Sequence, residues 1–359
     1  MSELINTQRG RNNCRYALLV TVSSAALLAS AALTQTAEAA EDGQPTVWIE
    51  VGGGLDQMAA GDARWLPPNM TPPQSNPPPG PFGKMPAVGF GEDMKLSFSP
   101  EDSDWVFSAS IRYGRAESGP KRNHDQSYKF TIVSSYGIPL VYLPTNKDFA
   151  NSIQKSHSTH AILDFQAGKD VGLGMFGGKS TFGAGIRVAN LNENADGHLT
   201  AFVSAPGKYN NGEVAHKAGF AVSHSFSGIG PSLSWDGSAP LAGTLKEGFS
   251  FDWGANAALL FGKQKTRVSL LTDDTRYFAT HQTVLTHSTH TPPMRNKTVI
   301  VPNVGGFAGL SWRLPNVKVS LGYRADFLFG AVDGGLLTSQ KETRGFYGPF
   351  ANVSIGIGG

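Results

Sequence analysis

The sequence is poor in cysteine, in charge and in long apolar runs. The one cysteine among 359 residues, Cys14, lies near the N-terminus, so the rest of the chain excludes disulfides and cysteine metal sites. Charged residues make up 16% of the chain, which is low for an ordinary soluble domain. The formal net charge is +2, so the chain offers no basic field for binding nucleic acid.

The first 39 residues have the pattern of a secretory signal peptide. A basic start precedes an apolar stretch over 16–34, and Ala37 and Ala39 supply the small residues that a signal peptidase needs. We expect cleavage after Ala39, which leaves 40–359 as the mature chain. The alternative is an uncleaved N-terminal anchor, because the apolar stretch is longer than a minimal signal core.

Beyond the N-terminus, apolar and polar residues alternate with period two, which is typical of strands. Between 105 and 113 the apolar positions are Trp105, Phe107, Ala109, Ile111 and Tyr113. Similar alternation recurs over 249–259, 317–327 and 347–357. A soluble β-sandwich alternates in the same way, but aromatic residues near strand ends favour a membrane barrel with interfacial girdles. These aromatic residues are Trp48, Trp105, Tyr113, Trp235, Trp312, Tyr323 and Tyr347.

The connections between the candidate strands alternate in length. The candidate strands cover 46–55, 86–99, 104–116, 157–168, 179–191, 214–237, 248–272, 298–312, 317–329 and 345–358. The long connections cover 56–85, 117–156, 192–213, 273–297 and 330–344. Outer-membrane barrels have short periplasmic turns and long extracellular loops. The sequence therefore predicts an all-β fold: a single antiparallel transmembrane β-barrel of about ten to twelve strands, with both termini in the periplasm.

Three local features refine this prediction. The stretch 128–142 is strand-like, so it either adds a hairpin, which gives twelve strands, or extends the flanking strands. Apolar parity slips between Phe226 and Ile229, which predicts a β-bulge at Gly228. The Pro-rich run within the first long connection, 56–85, cannot be strand interior. We interpret this run as a stiff outer loop, with a polyproline ligand as the alternative.

Motifs that could carry chemistry are weak. The glycines over 172–177 match a nucleotide-binding pattern, but a strand-like segment follows where a helix is required. The tetrapeptide His-Ser-Thr-His occurs at 157–160 and 287–290, and on a strand its two histidines point to opposite faces. We therefore expect solvated loop histidines and no metal site. A rim site at 223–225 lacks any triad order, so we expect no enzyme and no cofactor.

Charged residues on the polar face are the candidates for lining the barrel interior. They are Glu50, Arg112, Asp164, Arg187, Asp252, Lys318, Arg324 and Asp326. The set contains equal numbers of each sign, so its members either line a narrow water path or pair with one another and fill it. Eight strands leave a filled interior and sixteen leave a channel, so ten or twelve strands do not decide between these outcomes.

Several segments resemble a known family. They are 48–53 (WIEVGG), 162–170 (ILDFQAGKD), 230–235 (GPSLSW) and 345–356 (GFYGPFANVSIG). Together they resemble the Legionella-type pore-forming outer-membrane proteins, and more closely uncharacterised relatives from α-proteobacteria. The resemblance implies a porin-like barrel and brings no catalytic residues.

The expected function is a passive pore for small polar solutes in the bacterial outer membrane, with weak ion selectivity because neither sign of charge dominates. The alternative is a closed structural or adhesive barrel that acts through its extracellular loops. The expected partners are outer-membrane lipid and, as an open possibility, further copies of the chain. We expect no nucleic acid, and any partner of the loops is left open.

Overall fold

The computed structural model describes most of the chain from Val47 to Ile357. The described residues are 47–59, 87–100, 103–125, 131–133, 139–141, 149–173, 178–207, 210–244, 247–277, 282–291, 293–334, 339 and 341–357. The expected signal peptide and the Pro-rich run lie outside these residues. Within them, no helix is long and apolar enough to cross a membrane.

The described residues form thirteen strands. In chain order they are β1 (Val47–Ala59), β2 (Ala87–Phe98), β3 (Trp105–Asp125), β4 (Thr131–Val133), β5 (Pro139–Val141), β6 (Phe149–Asp170), β7 (Lys179–Gly207), β8 (Asn210–Gly243), β9 (Gly248–Tyr277), β10 (Gln282–His290), β11 (Arg295–Leu314), β12 (Val317–Asp333) and β13 (Lys341–Ile357).

Ten of these strands close into an antiparallel barrel. The neighbour order is β9-β11-β12-β13-β1-β2-β3-β6-β7-β8, and β8 pairs back with β9. The first and last barrel strands meet, with Val47 opposite Ile357. Closure removes the unpaired edges that a membrane strand could not tolerate. The barrel prediction is confirmed at its lower strand count, because β4 and β5 form a separate two-stranded sheet and β10 pairs with β9 only.

The outer connection expected over 192–213 is mostly strand. β7 continues to Gly207 and β8 begins at Asn210, and the two strands stay paired along that whole length. Period-two apolar patterning marks only the part of a strand that faces lipid, so a strand that continues beyond the membrane loses this signal. β8 and β9 also project, but they are joined at the opposite end, next to the hydrogen bond from Thr244 N to Glu247 O (2.7 Å).

The bulge expected at Gly228 is wrong. The pairing of β8 with β7 runs through this residue without a shift, and the one shift between β8 and β9 lies between Pro240 and Ala242. The apolar parity slips because apolar side chains change sides: Ile229 is 54% exposed on the outer face, whereas Phe226 is 1% exposed inside. The slip therefore marks the level at which β8 leaves the lipid.

The outer face of the barrel carries the expected apolar belt. Exposed outward residues include Ile186, Ile300, Leu310 and Leu321, whereas their chain neighbours Arg187, Val301, Ser311 and Ser320 are buried inside. Trp105, Trp235 and Trp312 lie on this face near the short turns, as an interfacial girdle requires. Trp48 has the opposite parity, because it shares the side of Glu50 on β1.

Candidate functional site

The half of the barrel near the short turns contains a polar cavity of about 370 Å³. Seven of the eight expected lining residues border it: Glu50, Arg112, Asp164, Arg187, Asp252, Lys318 and Arg324. The eighth, Asp326, lies deeper and is 2% exposed. All eight therefore point into the barrel. Whether they line a conducting path stays a prediction.

Arg187 on β7 is the centre of the interior ion pairs. Its guanidinium donates to both carboxylate oxygens of Asp164 on neighbouring β6, at 2.6 and 2.8 Å. It also donates to Asn256 Oδ1 at 2.7 Å and to Asn303 Oδ1. Because Arg187 is 2% exposed, these acceptors replace the water that the charge loses on burial.

Two further arginines connect strands that are not neighbours. Arg112 on β3 pairs with Asp326 on β12. Arg324 on β12 donates to Asp93 on β2 at 2.6 Å and lies over the ring of Phe350, 4.6 Å from its centroid. Asp93 was not among the sequence candidates, although its parity on β2 places it on the same face as Lys95. These pairs cross the interior and connect strands that lie four and three positions apart in the ring of ten.

Nearer the short turns, Glu50 and Asp252 form ion pairs with Lys318. Glu50 accepts from Asn352 at 2.9 Å and from Ser354 at 2.8 Å. Lys318 Nζ lies between the two carboxylates, 3.7 Å from Glu50 and 3.6 Å from Asp252. The eight sequence candidates therefore contact residues of opposite charge or polar groups. Of the two arrangements expected from the sequence, this is the one in which the charged residues pair with one another.

Beyond this ionic region lies a layer of buried apolar side chains inside the barrel. Its members are Met58, Ala116, Ile162, Ala189, Leu191, Phe226, Ala258, Leu260, Val301, Leu328, Ala331, Val332 and Phe346. Every barrel strand except β2 contributes to it. Leu260 and Val301 are 0% exposed, and none of the members exceeds 9%. Ile162 and Phe346 of this layer also border a small cavity of about 30 Å³, which Arg112 and Arg324 line as well.

The outer end of β12 folds into the barrel and completes the apolar layer. β12 pairs with β11 only as far as Leu328, and its pairing with β13 shifts between Leu328 and Val332. At this point Gly330 adopts φ 69°, a left-handed conformation that glycine tolerates best. Thr266 on β9 donates to the backbone oxygen of Asp333 at 3.2 Å, so β12 reaches across to a strand that is not its neighbour.

A second buried ionic cluster lies above the apolar layer. Arg344 is 0% exposed and contacts Glu193 at 2.8 Å and Glu342 at 2.8 Å. Burial raises the pKa of Glu342, although Arg344 opposes the shift. Burial lowers the pKa of His224 to about 4, and its Nδ1 lies 3.1 Å from Thr266 Oγ1. The outward residues at this level of β7 and β8 are Asn and Ser, so this cluster lies outside the lipid belt.

The first His-Ser-Thr-His segment lies on β6, and its histidines point to opposite faces as predicted. His157 Nδ1 lies 3.0 Å from Glu117 on the outer face. His160 contradicts the expectation of a solvated histidine, because it is buried inside, 3.4 Å from Asp56 and with its ring centroid 3.9 Å from that of Phe346. β6 continues as a strand here, so its inner face packs towards the apolar layer. The described residues contain no group of metal-binding side chains.

The sequence matches one family over most of its length. The family model described as Legionella pneumophila major outer membrane protein precursor covers residues 99–357. No curated protein matches the chain.

Solved outer-membrane structures resemble the chain weakly. The outer membrane protease OmpT from Escherichia coli is 11% identical over 90% of this chain and 100% of its own, with a TM-score of 0.37. The Pseudomonas putida toluene transporter TodX is 7% identical over 89% of this chain and 91% of its own, with a TM-score of 0.26. The translocator domain of the autotransporter NalP from Neisseria meningitidis is 10% identical over 96% and 98%, with a TM-score of 0.23. At these TM-scores the likenesses carry no argument about function.

Proposed function

The chain belongs to the Legionella pneumophila major outer membrane protein family and lies in the bacterial outer membrane, and on that premise we propose that it is a closed barrel. Its role in this proposal is structural or adhesive, through the strands and connections that project beyond the membrane. The proposal assigns no catalytic step to the barrel. The observation that carries it is the apolar layer across the interior.

The apolar layer opposes the passage of ions and polar solutes. Its side chains come from almost every wall of the barrel and are nearly inaccessible to water. A solute that reached Leu260 or Phe226 would lose its hydration without gaining hydrogen bonds, which costs several kcal/mol for each polar group, roughly 2–7 kcal/mol. Arg344 and its carboxylates then bridge the interior above this layer.

The projecting strands favour a role outside the membrane. β7, β8 and β9 continue well beyond their lipid-facing residues and remain paired there. Outward residues on this part of β7 include Asn192 and Asn194, which suit contact with water or a polar partner. A closed barrel serves as a rigid anchor for such a surface.

The passive pore expected from the sequence is the second candidate. The observation that favours it is the polar cavity of about 370 Å³ inside the half of the barrel near the short turns. Conduction would require the inward end of β12 to move away from Thr266 and the layer to separate. The balanced charges of the cavity would then give weak ion selectivity. Association of barrels into oligomers stays a prediction.

Planar-bilayer conductance of the purified, folded protein tests the proposal. We expect no discrete conductance steps from the native protein. The double variant Phe226→Ala with Leu260→Ala thins the apolar layer, and it should show conductance steps that grow in proportion to the salt concentration. Leu321→Ala, a lipid-facing change of similar size, is the matched control and should stay silent. Salt-proportional steps from the native protein would reject closure and establish the pore, and Arg112→Glu with Arg324→Glu would then shift selectivity towards cations.

A further inference from the structure

Three cations follow one another on the outer face of β9. Lys263, Lys265 and Arg267 are exposed and alternate with Gln264 and Thr266, which are buried inside at 4% and 2%. We call these three cations the basic patch. Residues two apart on a strand lie about 6.6 Å from each other on one face, so the basic patch extends over about 13 Å.

The residues beside the basic patch carry no opposite charge. On β8, Ser227, Ser225 and Ser223 lie opposite the three cations in order. On β11, Thr298 lies opposite Lys263 and Asn296 lies opposite Lys265. Among the described residues, none forms an ion pair with Lys263, Lys265 or Arg267. By contrast, Lys155 on the outer face has a carboxylate partner, Asp196, at 3.5 Å.

The basic patch begins where the apolar belt ends. The outward residue before it on β9 is Phe261, which is 48% exposed. Its neighbours on the outer face are Ile229 on β8 and Ile300 on β11, both more than half exposed. Strands tilt by about 40° in such barrels, so each two-residue step rises about 5 Å above the hydrocarbon boundary. The patch therefore lies at the level of lipid headgroups.

We propose that the basic patch binds the phosphate groups of the phosphorylated glycolipid of the outer leaflet. This surface meets an anionic headgroup layer on the long-connection side of the barrel, and its cations have no carboxylate of their own to neutralise them. Serine hydroxyls and the side-chain amide of Asn296 add hydrogen-bond donors next to the charges. Phosphate oxygens accept from such donors and from ammonium and guanidinium groups. The inference does not depend on whether the barrel is closed.

Native mass spectrometry of the folded protein in detergent, titrated with diphosphorylated lipid A, tests the proposal. The test variant is the triple change Lys263→Gln, Lys265→Gln and Arg267→Gln. Each cation near an anionic membrane surface strengthens binding about fivefold, so we expect the triple variant to bind about 100-fold more weakly. Heat-dependent gel mobility verifies that each sample is folded.

The matched control removes three other outward cations, each of which has a carboxylate partner. It combines Arg115→Gln, Lys155→Gln and Lys169→Gln. The control should bind lipid A as the native protein does. Dephosphorylated lipid A should bind the native protein weakly, and inorganic phosphate should not displace the diphosphorylated lipid, which separates a headgroup site from a free phosphate site.

Several results would overturn the proposal. Native affinity in the triple variant, or an equal loss in the control, would show that the basic patch has no special role. Equal binding of dephosphorylated lipid A would show that acyl chains alone bind the belt. Loss of a higher oligomer in the triple variant, with lipid binding unchanged, would assign this surface to a second copy of the chain instead.

Discussion

Replacing Arg187 with methionine tests how the interior ion pairs contribute to stability. Arg187→Met keeps much of the aliphatic length and removes the guanidinium that contacts Asp164, Asn256 and Asn303. Asp164 is 8% exposed, so it would remain as a buried carboxylate without its bidentate partner. Breaking a buried pair in this way costs about 3–5 kcal/mol, because the remaining charge loses its partner at a largely buried position.

The second variant separates the pair's net contribution from the penalty of leaving one charge behind. Arg187→Met combined with Asp164→Leu removes both charges, and a well-packed apolar replacement of a buried pair is often neutral or stabilising. We therefore expect the double variant to recover most of the stability that Arg187→Met loses. Lys155→Met is the matched surface control, because its pair with Asp196 is largely exposed and exposed pairs contribute only about 0–1 kcal/mol.

Urea-induced unfolding in lipid vesicles, followed by tryptophan fluorescence, measures these differences. The midpoint should fall markedly for Arg187→Met, little for Lys155→Met, and should recover in the double variant. A loss for Arg187→Met no larger than that for Lys155→Met would refute the reasoning, because it would mean that the carboxylate of Asp164 is hydrated in the folded barrel. That result would also favour a water-filled interior and hence the pore.

Three more predictions concern the lipid face, β12 and the outer cluster. Leu321→Arg should impair assembly, measured by heat-dependent gel mobility, because an arginine that faces the bilayer midplane costs about 2–4 kcal/mol. Ser320→Arg should assemble, because this residue faces the polar cavity. Equal tolerance of the two changes would contradict the assignment of Leu321 to the lipid face and Ser320 to the interior. Gly330→Ala should lower the free energy of unfolding by about 1–2 kcal/mol and so shift the urea midpoint down, because φ is 69° while the added carbon approaches no atom closer than 3.8 Å. His224 stays neutral inside to a pKa of about 4, so stability should fall as pH drops from about 6.5 towards that value, and His224→Gln should flatten this pH dependence.

The sequence predicts the lipid-facing part of the fold well, because lipid imposes a strict alternation there. Leu321 faces lipid and Ser320 faces the interior, as the pattern on β12 indicated. The long and short connections also identified the two ends of the barrel. This success has one physical cause. Within the bilayer, the side chains that face lipid must be apolar, and the backbone of each strand must form hydrogen bonds with the strands on both sides.

Beyond the lipid, the same reasoning fails for a physical reason. On β7 the outward residues Asn192 and Asn194 are polar, so the apolar alternation ends there and the sequence predicts a loop. Phe226, only three residues from Ile229, is apolar on the inner face, which imitated a bulge. The inward turn of β12 depends on the left-handed conformation of Gly330. The chain has 43 glycines, and the sequence does not distinguish this one from the others.

The candidate site was predictable as a set of residues but not as a set of pairs. Asp164 and Arg187 face each other on neighbouring strands, so their pairing follows once the register of β6 and β7 is known. Arg112 and Asp326 belong to strands that are not neighbours, and their contact depends on the diameter of the closed barrel. The alternation of residues along a strand predicts which side chains point into the barrel. Which residues they contact there depends on how the strands close into a ring.

The diameter itself argues for a closed interior. β7 and β13 lie five positions apart in a ring of ten strands, so they stand on opposite walls. Arg344 on β13 nevertheless reaches Glu193 on β7 at 2.8 Å, which means that two side chains together span the interior. A barrel this narrow is occluded wherever long side chains from facing walls meet. The Arg344–Glu193 bridge therefore narrows the interior above the apolar layer, so the steps expected from Phe226→Ala with Leu260→Ala should be small as long as this bridge remains.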